Sequence, residues 1–381
     1  MARDLDALGF HNYVELDHGA STYIGSIKLT SYQFYIFTDS AAVVEADGKT
    51  LLNANDAKLM GGPLKQVLKR HPHIDFVLRS HSSANSRVMY EFIDETDEYF
   101  EDRERYIDDF LCFTQATGAK YAIPFASNHC HLHKDVFGMN EYVVTPREVE
   151  EYFEQHNVAS PQLKVMVSGD SWDSDNGFDI AEHDFFTNRQ EQLNQYRDSV
   201  HEKLEATYRQ EARSKIGEKR VRNYFDRVFS AMPWLWRRYF QGHPLLYVLD
   251  AGEDITLVEI DLYNKKVSFP ESFTDASHPM QIYTRTALFK HCISVDLFSH
   301  LAISKRVKFR TTKADLRRLR SWAYFHNFFE WNLLPVRQIS VGRFVGQWSR
   351  RWREVLLYFH IAANILVGKG FRFTNYLPRP D

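Results

Sequence analysis

The chain has few cysteines and no long apolar run, and each absence excludes a class of protein. Its three cysteines, Cys112, Cys130 and Cys292, lie far apart and form no CxxC pair. That is too few for a disulfide framework and too scattered for a structural zinc knuckle. The most apolar segment, 355–367, contains a histidine and an asparagine and is shorter than the roughly 20 residues that a membrane helix needs. We therefore expect no membrane span.

A strong charge of either sign is also missing. The chain has 47 basic and 50 acidic residues, for a net charge of −3. Nucleic-acid binding usually requires a strongly basic surface, so we expect no nucleic-acid partner. The first six residues, Met-Ala-Arg-Asp-Leu-Asp, lack the apolar stretch of a secretory signal. The sequence therefore predicts a cytoplasmic protein.

Strand-like and helix-like segments alternate along the first part of the chain. Apolar runs at 22–28, 32–37 and 41–46 predict strands, and Asp47-Gly48 between apolar runs predicts a hairpin turn. Two further buried strands are expected at 73–80 (HIDFVLRS) and 120–126 (KYAIPFA). Helices are expected between these strands, including a long one over 89–117. This alternation predicts an α/β layer architecture.

One helix start and one polar stretch organise the rest of the chain. In Thr145-Pro-Arg-Glu148 the threonine can cap a helix and the glutamate can return the hydrogen bond of a capping box. The turn-rich stretch 169–177 (GDSWDSDNG) predicts a domain boundary. We therefore expect a first domain at 1–168, a charged helical connector at 169–240, and a mixed α+β domain at 241–381.

Three histidines follow the AIPF strand and could hold a metal ion. His129, His131 and His133 alternate at a spacing of two, so a continuing strand would place all three on one side. Neutral imidazole is the commonest metal ligand in proteins, and Asp135 could add a ligand or orient one of the rings. The alternative is that these are partly exposed loop histidines without a shared function.

Three more side chains stand at strand ends and are candidates for the same site. Asp56 ends the run 51–56, where it could serve as a rigidly placed catalytic carboxylate and metal ligand, or only as a helix cap. Arg79 and Ser82 lie in the polar loop after the HIDFVLRS strand and could bind an anionic small-molecule substrate. An ordinary strand-to-helix loop explains the same residues.

The order of these segments resembles the second half of the metallo-β-lactamase superfamily. The stretches FTDSAAVVEADGKTLLNANDAK and AKYAIPFASNHCHLHKD carry the likeness, which is closest to the branch of ascorbate-6-phosphate lactonase and CMP-N-acetylneuraminate hydroxylase. The resemblance implies half of an αββα sandwich over residues 20–160. It also implies one or two zinc or iron ions, with Asp56 bridging them and His129 as a further ligand, His131 and His133 being alternatives.

One motif of that family is absent. The family's first metal site uses an HxHxDH motif and another histidine upstream of the aspartate, whereas only His11 and His18 precede Asp56 here. Three explanations stay open: the sequence is a piece of a longer enzyme, a separate chain or a second copy supplies the missing half, or the site has been lost. The resemblance therefore implies either a metal-dependent hydrolase-like or oxygenase-like protein, or an inactive scaffold or partner subunit that retains half of the fold.

The two functions predict different structures. The enzyme requires a concave site at which Asp56 and His129 converge, since the ligands of one or two metal ions lie within a few ångströms of each other. The scaffold requires a large exposed apolar face, because half of a sandwich cannot bury its own sheet.

Overall fold

The structure is a computed structural model that describes residues 2–35, 39–82, 86–94, 103–331, 333–334 and 341–378. Within these residues it contains a seven-stranded sheet, a six-stranded sheet and a two-stranded hairpin, with helices packed on the two large sheets. The predicted α/β class is confirmed. The end of the strand predicted for 32–37 lies outside the described residues.

The first part of the chain supplies the larger sheet and four helices. Its elements, in chain order, are α1 (Ala2–Ala7), β1 (Ser21–Ile24), β2 (Ile27–Phe34), β3 (Asp39–Ala46), β4 (Lys49–Asn55), α2 (Gly61–Arg70), β5 (Phe76–Arg79), a 3₁₀ helix (Ser86–Met89), β6 (Tyr90–Phe92), α3 (Arg103–Thr117), β7 (Tyr121–Pro124), a 3₁₀ helix (Phe137–Tyr142), α4 (Pro146–Gln155) and β8 (Gln162–Leu163).

The first sheet has the strand order β1-β2-β3-β4-β5-β7-β8. Strands β1 to β4 form an antiparallel meander, whereas β4, β5, β7 and β8 run parallel to one another. The predicted hairpin between β3 and β4 is confirmed. Asp47 and Gly48 both have positive φ, 49° and 71°, as a two-residue turn matched to the twist of the strands requires.

Helices cover one face of this sheet. The residues of one row across five strands are all buried on that face: Thr30, Val43, Leu52, Val77 and Ala122. They pack in one core with apolar residues of α2, α3 and α4, including Leu64, Phe110, Phe113 and Phe153. Burial of these aromatic side chains supplies much of the stability of this half, at about 25 cal/mol for each Å² removed from water.

The opposite face of the sheet is only half-buried in the middle. The neighbouring row consists of Leu29, Val44, Leu51, Phe76 and Tyr121, of which only the Phe76 side chain is fully buried. A hairpin of β9 (Ser171–Asp173) and β10 (Gly177–Asp179) contacts the Phe76 end of this row through Trp172 and Phe178. An apolar row of this sheet face thus stays partly accessible, which falls short of the large exposed face that the scaffold hypothesis requires.

The long helix expected at 89–117 is only partly correct. Residues 103–117 form α3, but Tyr90–Phe92 form β6, which pairs in parallel with a strand of the second sheet. Residues 95–102 lie outside the described part of the chain. The helical pattern failed at 90–92 because long-range pairing with an edge strand outweighed the local preference of three residues.

The middle of the chain is helical, as the charged composition predicted. After the β9–β10 hairpin come α5 (Arg189–Ser199), α6 (His201–Ala212), α7 (Glu218–Ala231) and α8 (Trp234–Tyr239). The division at 168 and 240 stays a prediction. Strand β6 lies within the first predicted domain but pairs with a strand of the second sheet.

The last third builds the second sheet and its helices. Its elements are β11 (Leu245–Asp250), β12 (Ile255–Asp261), β13 (Lys266–Ser268), β14 (Met280–Arg285), α9 (Thr286–Val295), α10 (Ser299–Ser304), β15 (Val307–Thr311), α11 (Leu316–Glu330), α12 (Val341–Arg350), α13 (Trp352–Leu366) and a 3₁₀ helix (Phe373–Tyr376). The strand order is β13-β12-β11-β14-β15-β6.

Aromatic side chains dominate the core between this sheet and its helices. Phe225 of α7, Tyr247 of β11, Phe289 of α9 and Trp322 of α11 are each at most 1% exposed and belong to one cluster. Among the described residues, no helix combines the length and apolar character needed to cross a bilayer.

The final helices return to the first part of the chain. Leu357 of α13 packs on Gly61 at the start of α2. Beside it, Arg351 and Glu354 form a buried ion pair whose members also bond the Tyr35 backbone carbonyl and amide. These contacts tie α13 to Tyr35 and to the start of α2.

Candidate functional site

The predicted site lies at one edge of the first sheet. Strands β4, β5 and β7 run parallel and end at Asn55, Arg79 and Pro124, so the residues that follow them emerge at the same edge. In open α/β sheets, ligands bind in the crevice at the carboxyl ends of such strands. Asp56, the 80–82 segment and the histidine segment all follow these ends. The sheet topology therefore gathers most of the predicted residues.

Asp56 and His129 lie within range of an electrostatic interaction at this edge. Asp56 is exposed in the turn after β4, and its carboxylate acts to raise the pKa of His129. Burial is the larger effect, and with the Lys305 charge it leaves the pKa of His129 below its ordinary value. His129 is therefore a neutral imidazole near pH 7, which is the form that binds a metal ion.

His131 lies next to His129. The two ring centroids are 5.3 Å apart, edge to face. Burial and the proximity of His129, together with Lys305 and Arg189, lower the pKa of His131 to about 4. Two neutral imidazoles thus lie side by side, near the positive charges of Lys305 and Arg189.

His133 does not join them. Strand β7 ends at Pro124, and Ala126 adopts a left-handed φ of 57°, so the chain leaves the strand before the histidines begin. The expectation that a continuing strand puts all three rings on one side is therefore wrong. The His133 ring packs on Tyr208 of α6, with centroids 5.7 Å apart. Asp135, the suggested further ligand, pairs instead with Arg306, at 3.0 Å.

A fourth histidine at the edge was not predicted. His81 follows β5, is 1% exposed, and neither ring nitrogen has a well-formed hydrogen bond. Burial, opposed by a backbone hydrogen bond to Val144 and aided by the charges of His129 and Arg189, lowers its pKa to about 4. A buried imidazole with poor hydrogen bonds is costly in a folded protein. The sequence signal that could have identified His81 is its position after a parallel strand, which it shares with His129.

Two cations from the later part of the chain approach the same histidines. Arg189, at the start of α5, donates from Nη2 to the His129 carbonyl oxygen at 2.9 Å. Lys305 is buried at the end of α10, with a left-handed φ of 60°. Both lower the pKa values of His129 and His131. Neither cation is near the histidines in sequence, so only the fold reveals the positive charge of the site.

Arg79 and Ser82 are buried beneath the edge. The Arg79 guanidinium lies 4.0 Å from the Phe113 ring centre and donates to the Ala57 carbonyl at 3.1 Å, and burial lowers its pKa to about 10. Ser82 accepts from the Val144 amide at 2.9 Å. Their predicted contact with a substrate stays a prediction. The geometry favours a positioning role, because both side chains hold loops that carry the site.

The site satisfies the requirements of a metal ion in part. His81 and His129 offer neutral imidazoles, and neither ring nitrogen of His81 has a well-formed hydrogen bond. Within the described ranges, however, no group of three or more histidine, cysteine, aspartate or glutamate side chains is arranged to hold a metal ion. These residues therefore supply part of a metal coordination sphere but do not complete it.

Comparison with known proteins gives little support for any family. No family model matches the chain, and no curated protein does. The solved structures that match include two of one enzyme: a mutant of CmlA β-hydroxylase, and CmlA, a diiron β-hydroxylase from Streptomyces venezuelae. Their TM-scores are 0.31 and 0.28, both at 13% identity over 44% of this chain. The match spans about a third of the CmlA chain, 35%. Similarity this low carries no argument about function or superfamily.

Proposed function

We propose that the carboxyl edge of the first sheet is part of a metal-dependent site with hydrolase-like or oxygenase-like chemistry. The observation that carries the proposal is the pair of His81 and His129, two neutral imidazoles that follow adjacent strands, one of them buried without a well-formed hydrogen bond. Asp56, within electrostatic range of His129, would add an anionic oxygen. Imidazole and carboxylate together suit both zinc and iron.

The other residues of this edge would support the site without binding the metal ion. Arg189 and Lys305 make the site positive, which favours a small-molecule anionic substrate through long-range attraction. Arg79 holds the turn that carries Asp56 through the Ala57 carbonyl. When bound, one or two metal ions would lower the pKa of a bound water or polarise a substrate oxygen.

The missing ligands would come from outside the described residues. A second chain that carries the other half of the sandwich, or a second copy of this chain, could supply them. The half-buried row on the open sheet face supports this, since Leu29, Val44 and Leu51 are apolar and central and yet partly accessible.

Metal binding by matched histidine variants tests the proposal. The full chain would be titrated calorimetrically with Zn²⁺ and with anaerobic Fe²⁺. We expect His81→Ala and His129→Ala each to weaken binding at least tenfold, because each removes one of few ligands. His156→Ala is the control, since His156 is exposed at the end of α4, away from the edge. Equal affinities in all four proteins would contradict the proposal.

A scaffold or partner subunit is the second candidate. It is favoured by the lack of a three-ligand cluster among the described residues and by the open sheet face. It predicts a wild-type chain that binds neither metal but associates through that face, in sedimentation velocity or with a partner chain. Val44→Glu would then abolish association, whereas Tyr23→Glu, at an exposed edge position, would not. Tight metal binding by an isolated monomer would exclude the scaffold function.

A further inference from the structure

A cavity of about 500 Å³ lies between the second sheet and its helices. This volume falls within the range of about 300–1,000 Å³ that is typical of small-molecule sites. Strands β6, β11, β14 and β15 form one wall, and α10 and α11 form the other. The cavity is thus enclosed by regular elements of the domain and not by loops.

Seven of the sixteen residues that line it carry aromatic rings. His326 of α11 stacks on Phe298, next to α10, with ring centroids 4.4 Å apart, and lies tilted against Trp322 of α11, with centroids 3.9 Å apart. On the opposite side, the rings of Tyr90 and Phe309 stack at 4.9 Å. Two aromatic clusters therefore line the same cavity. Planar rings are bound well by such surfaces, since offset and edge-to-face pairs add attraction beyond the burial of area.

A single charged group lines the cavity. Arg320 of α11 is half-buried there, with its guanidinium carbon 5.7 Å from the centre of the Tyr90 ring. No aspartate, glutamate or lysine lines the cavity, and no carboxylate of the described residues lies within ion-pair distance of Arg320. His326 is neutral near pH 7, because burial lowers its pKa to about 3. Among the described residues, one cation thus stands beside Tyr90 without a carboxylate partner, in a mainly apolar space.

A buried hydroxyl provides a second polar contact. Tyr247, 1% exposed, accepts a hydrogen bond from Trp322 Nε1 at 2.9 Å. No described residue accepts the proton of the Tyr247 hydroxyl itself, and burial keeps that hydroxyl protonated by raising its pKa far above the usual value. A buried donor without an acceptor is unfavourable, so a ligand oxygen in the cavity would relieve the cost.

We propose that this cavity binds an aromatic carboxylate, with the ring system against the aromatic walls and the carboxylate on Arg320. The guanidinium can hold both carboxylate oxygens in a forked pair, a geometry that a neutral group cannot match. One unbalanced positive charge selects a monoanion over a neutral or doubly charged ligand. The planar lining favours a fused ring over a flexible acyl chain, which loses more conformational freedom on binding. The proposal is independent of the metal site.

Calorimetry with three probes tests the ligand class. The full chain would be titrated with 2-naphthoate, with neutral 2-naphthalenemethanol and with decanoate. We expect 2-naphthoate to bind most tightly, at least tenfold better than the alcohol. Tighter binding of decanoate would assign the cavity to acyl chains, and no binding of 2-naphthoate would mean that the cavity is not a ligand site. Either result would overturn the proposal.

Variants of α11 test the position of the ligand. Arg320→Gln should weaken 2-naphthoate binding at least tenfold and leave 2-naphthalenemethanol binding within about twofold, because only the charged contact is lost. Arg317→Gln, an exposed position on the same helix, is the matched control and should change neither. Ala323→Phe should abolish binding of both by filling the cavity, which Ala323 lines. Should Arg320→Gln not fold by circular dichroism, Arg320→Lys replaces it: lysine keeps the charge but cannot form the forked pair, so it should weaken binding of 2-naphthoate and not of 2-naphthalenemethanol. Equal loss of the acid and the alcohol would contradict the assignment of the carboxylate to Arg320.

Discussion

Arg306 and Glu211 form a forked ion pair, with Arg306 Nη1 and Nη2 2.7 and 2.8 Å from the two carboxylate oxygens. Both side chains are buried, at 4% and 9% exposure. The pair joins α6 of the helical connector to the residue just before β15. Arg306 also donates from Nε to Asp135, in the segment after the histidines. One buried guanidinium thus links three parts of the chain.

Loss of one partner of this pair should be strongly destabilising. Arg306→Met leaves the Glu211 carboxylate buried without a counter-ion, and we expect the free energy of unfolding to fall by about 3–5 kcal/mol. The double variant Arg306→Met with Glu211→Met should recover most of this, since no charge stays buried. Urea denaturation measures both. A single variant within about 1 kcal/mol of wild type would show that the pair is solvated.

The capping box at the start of α4 is confirmed and its contribution can be measured. The Glu148 amide donates to Thr145 Oγ1 at 3.2 Å, and Glu148 Oε2 accepts from the Thr145 amide at 2.7 Å. Thr145→Ala should cost about 1 kcal/mol, because the helix loses one of its few N-terminal hydrogen bonds. Thr145→Ser keeps the hydroxyl and should stay close to wild type. Equal loss in both would assign the effect to packing of the methyl group.

The contact between α13 and α2 depends on the absence of a side chain at Gly61. A Cβ there would stand 2.8 Å from Leu357 Cδ1, and Gly61 has a φ of 57°. Gly61→Ala should therefore cost both backbone strain, about 1–2 kcal/mol, and a steric clash. Gly25→Ala separates the two effects, since Gly25 has a φ of 60° but nothing within 4 Å of its Cβ position.

Shortening the opposing residue completes this test. Gly61→Ala combined with Leu357→Ala should destabilise by less than the sum of the single changes, because the second change removes the clash. Thermal unfolding of the four proteins gives the coupling. Strict additivity would place α13 away from α2 in solution.

Burial of His326 should make stability depend on pH. The pKa of this histidine falls to about 3 in the folded chain, from an ordinary value of 6.5. Its neutral form is favoured by the fold, so this contribution is complete above pH 6.5 and is lost as the pH falls towards 3. Between pH 7.5 and pH 5 the wild type should lose about 2 kcal/mol from this group, or 1.36 kcal/mol for each of roughly 1.5 pH units below 6.5.

His326→Phe provides the comparison for this pH effect. Phenylalanine can stack on Phe298 and Trp322 but has no titrating group, so the variant should lose about 2 kcal/mol less over the same interval. Guanidinium denaturation at both pH values measures the difference. The same pH dependence in both proteins would mean that water reaches the His326 ring.

Features that depend on a few neighbouring residues were predicted correctly. The Asp47-Gly48 turn and the capping box of α4 are local, since a turn or cap is fixed by backbone angles and side chains within four residues. The strands of the first sheet were recognised by their apolar runs. The placement of Asp56 and His129 at the same sheet edge follows from the ends of the parallel strands β4 and β7, which a sequence can suggest only through the order of its elements.

Predictions that needed long-range information failed or were not made. The alternation of His129, His131 and His133 assumed a strand that ends at Pro124, so His133 was misplaced. Residues 90–92 looked helical by themselves and became a strand by pairing with β15.

The sequence by itself therefore determined an α/β protein with histidines and an aspartate at strand ends, because apolar periodicity and turn residues act locally. Tertiary structure alone decided that His81 is buried beside His129, and that Arg189 and Lys305 give this edge a positive charge. It also decided that Arg320 lines a partly aromatic cavity, with no carboxylate partner among the described residues. Burial and electrostatic proximity depend on residues far apart in the chain, and only folding brings those residues together.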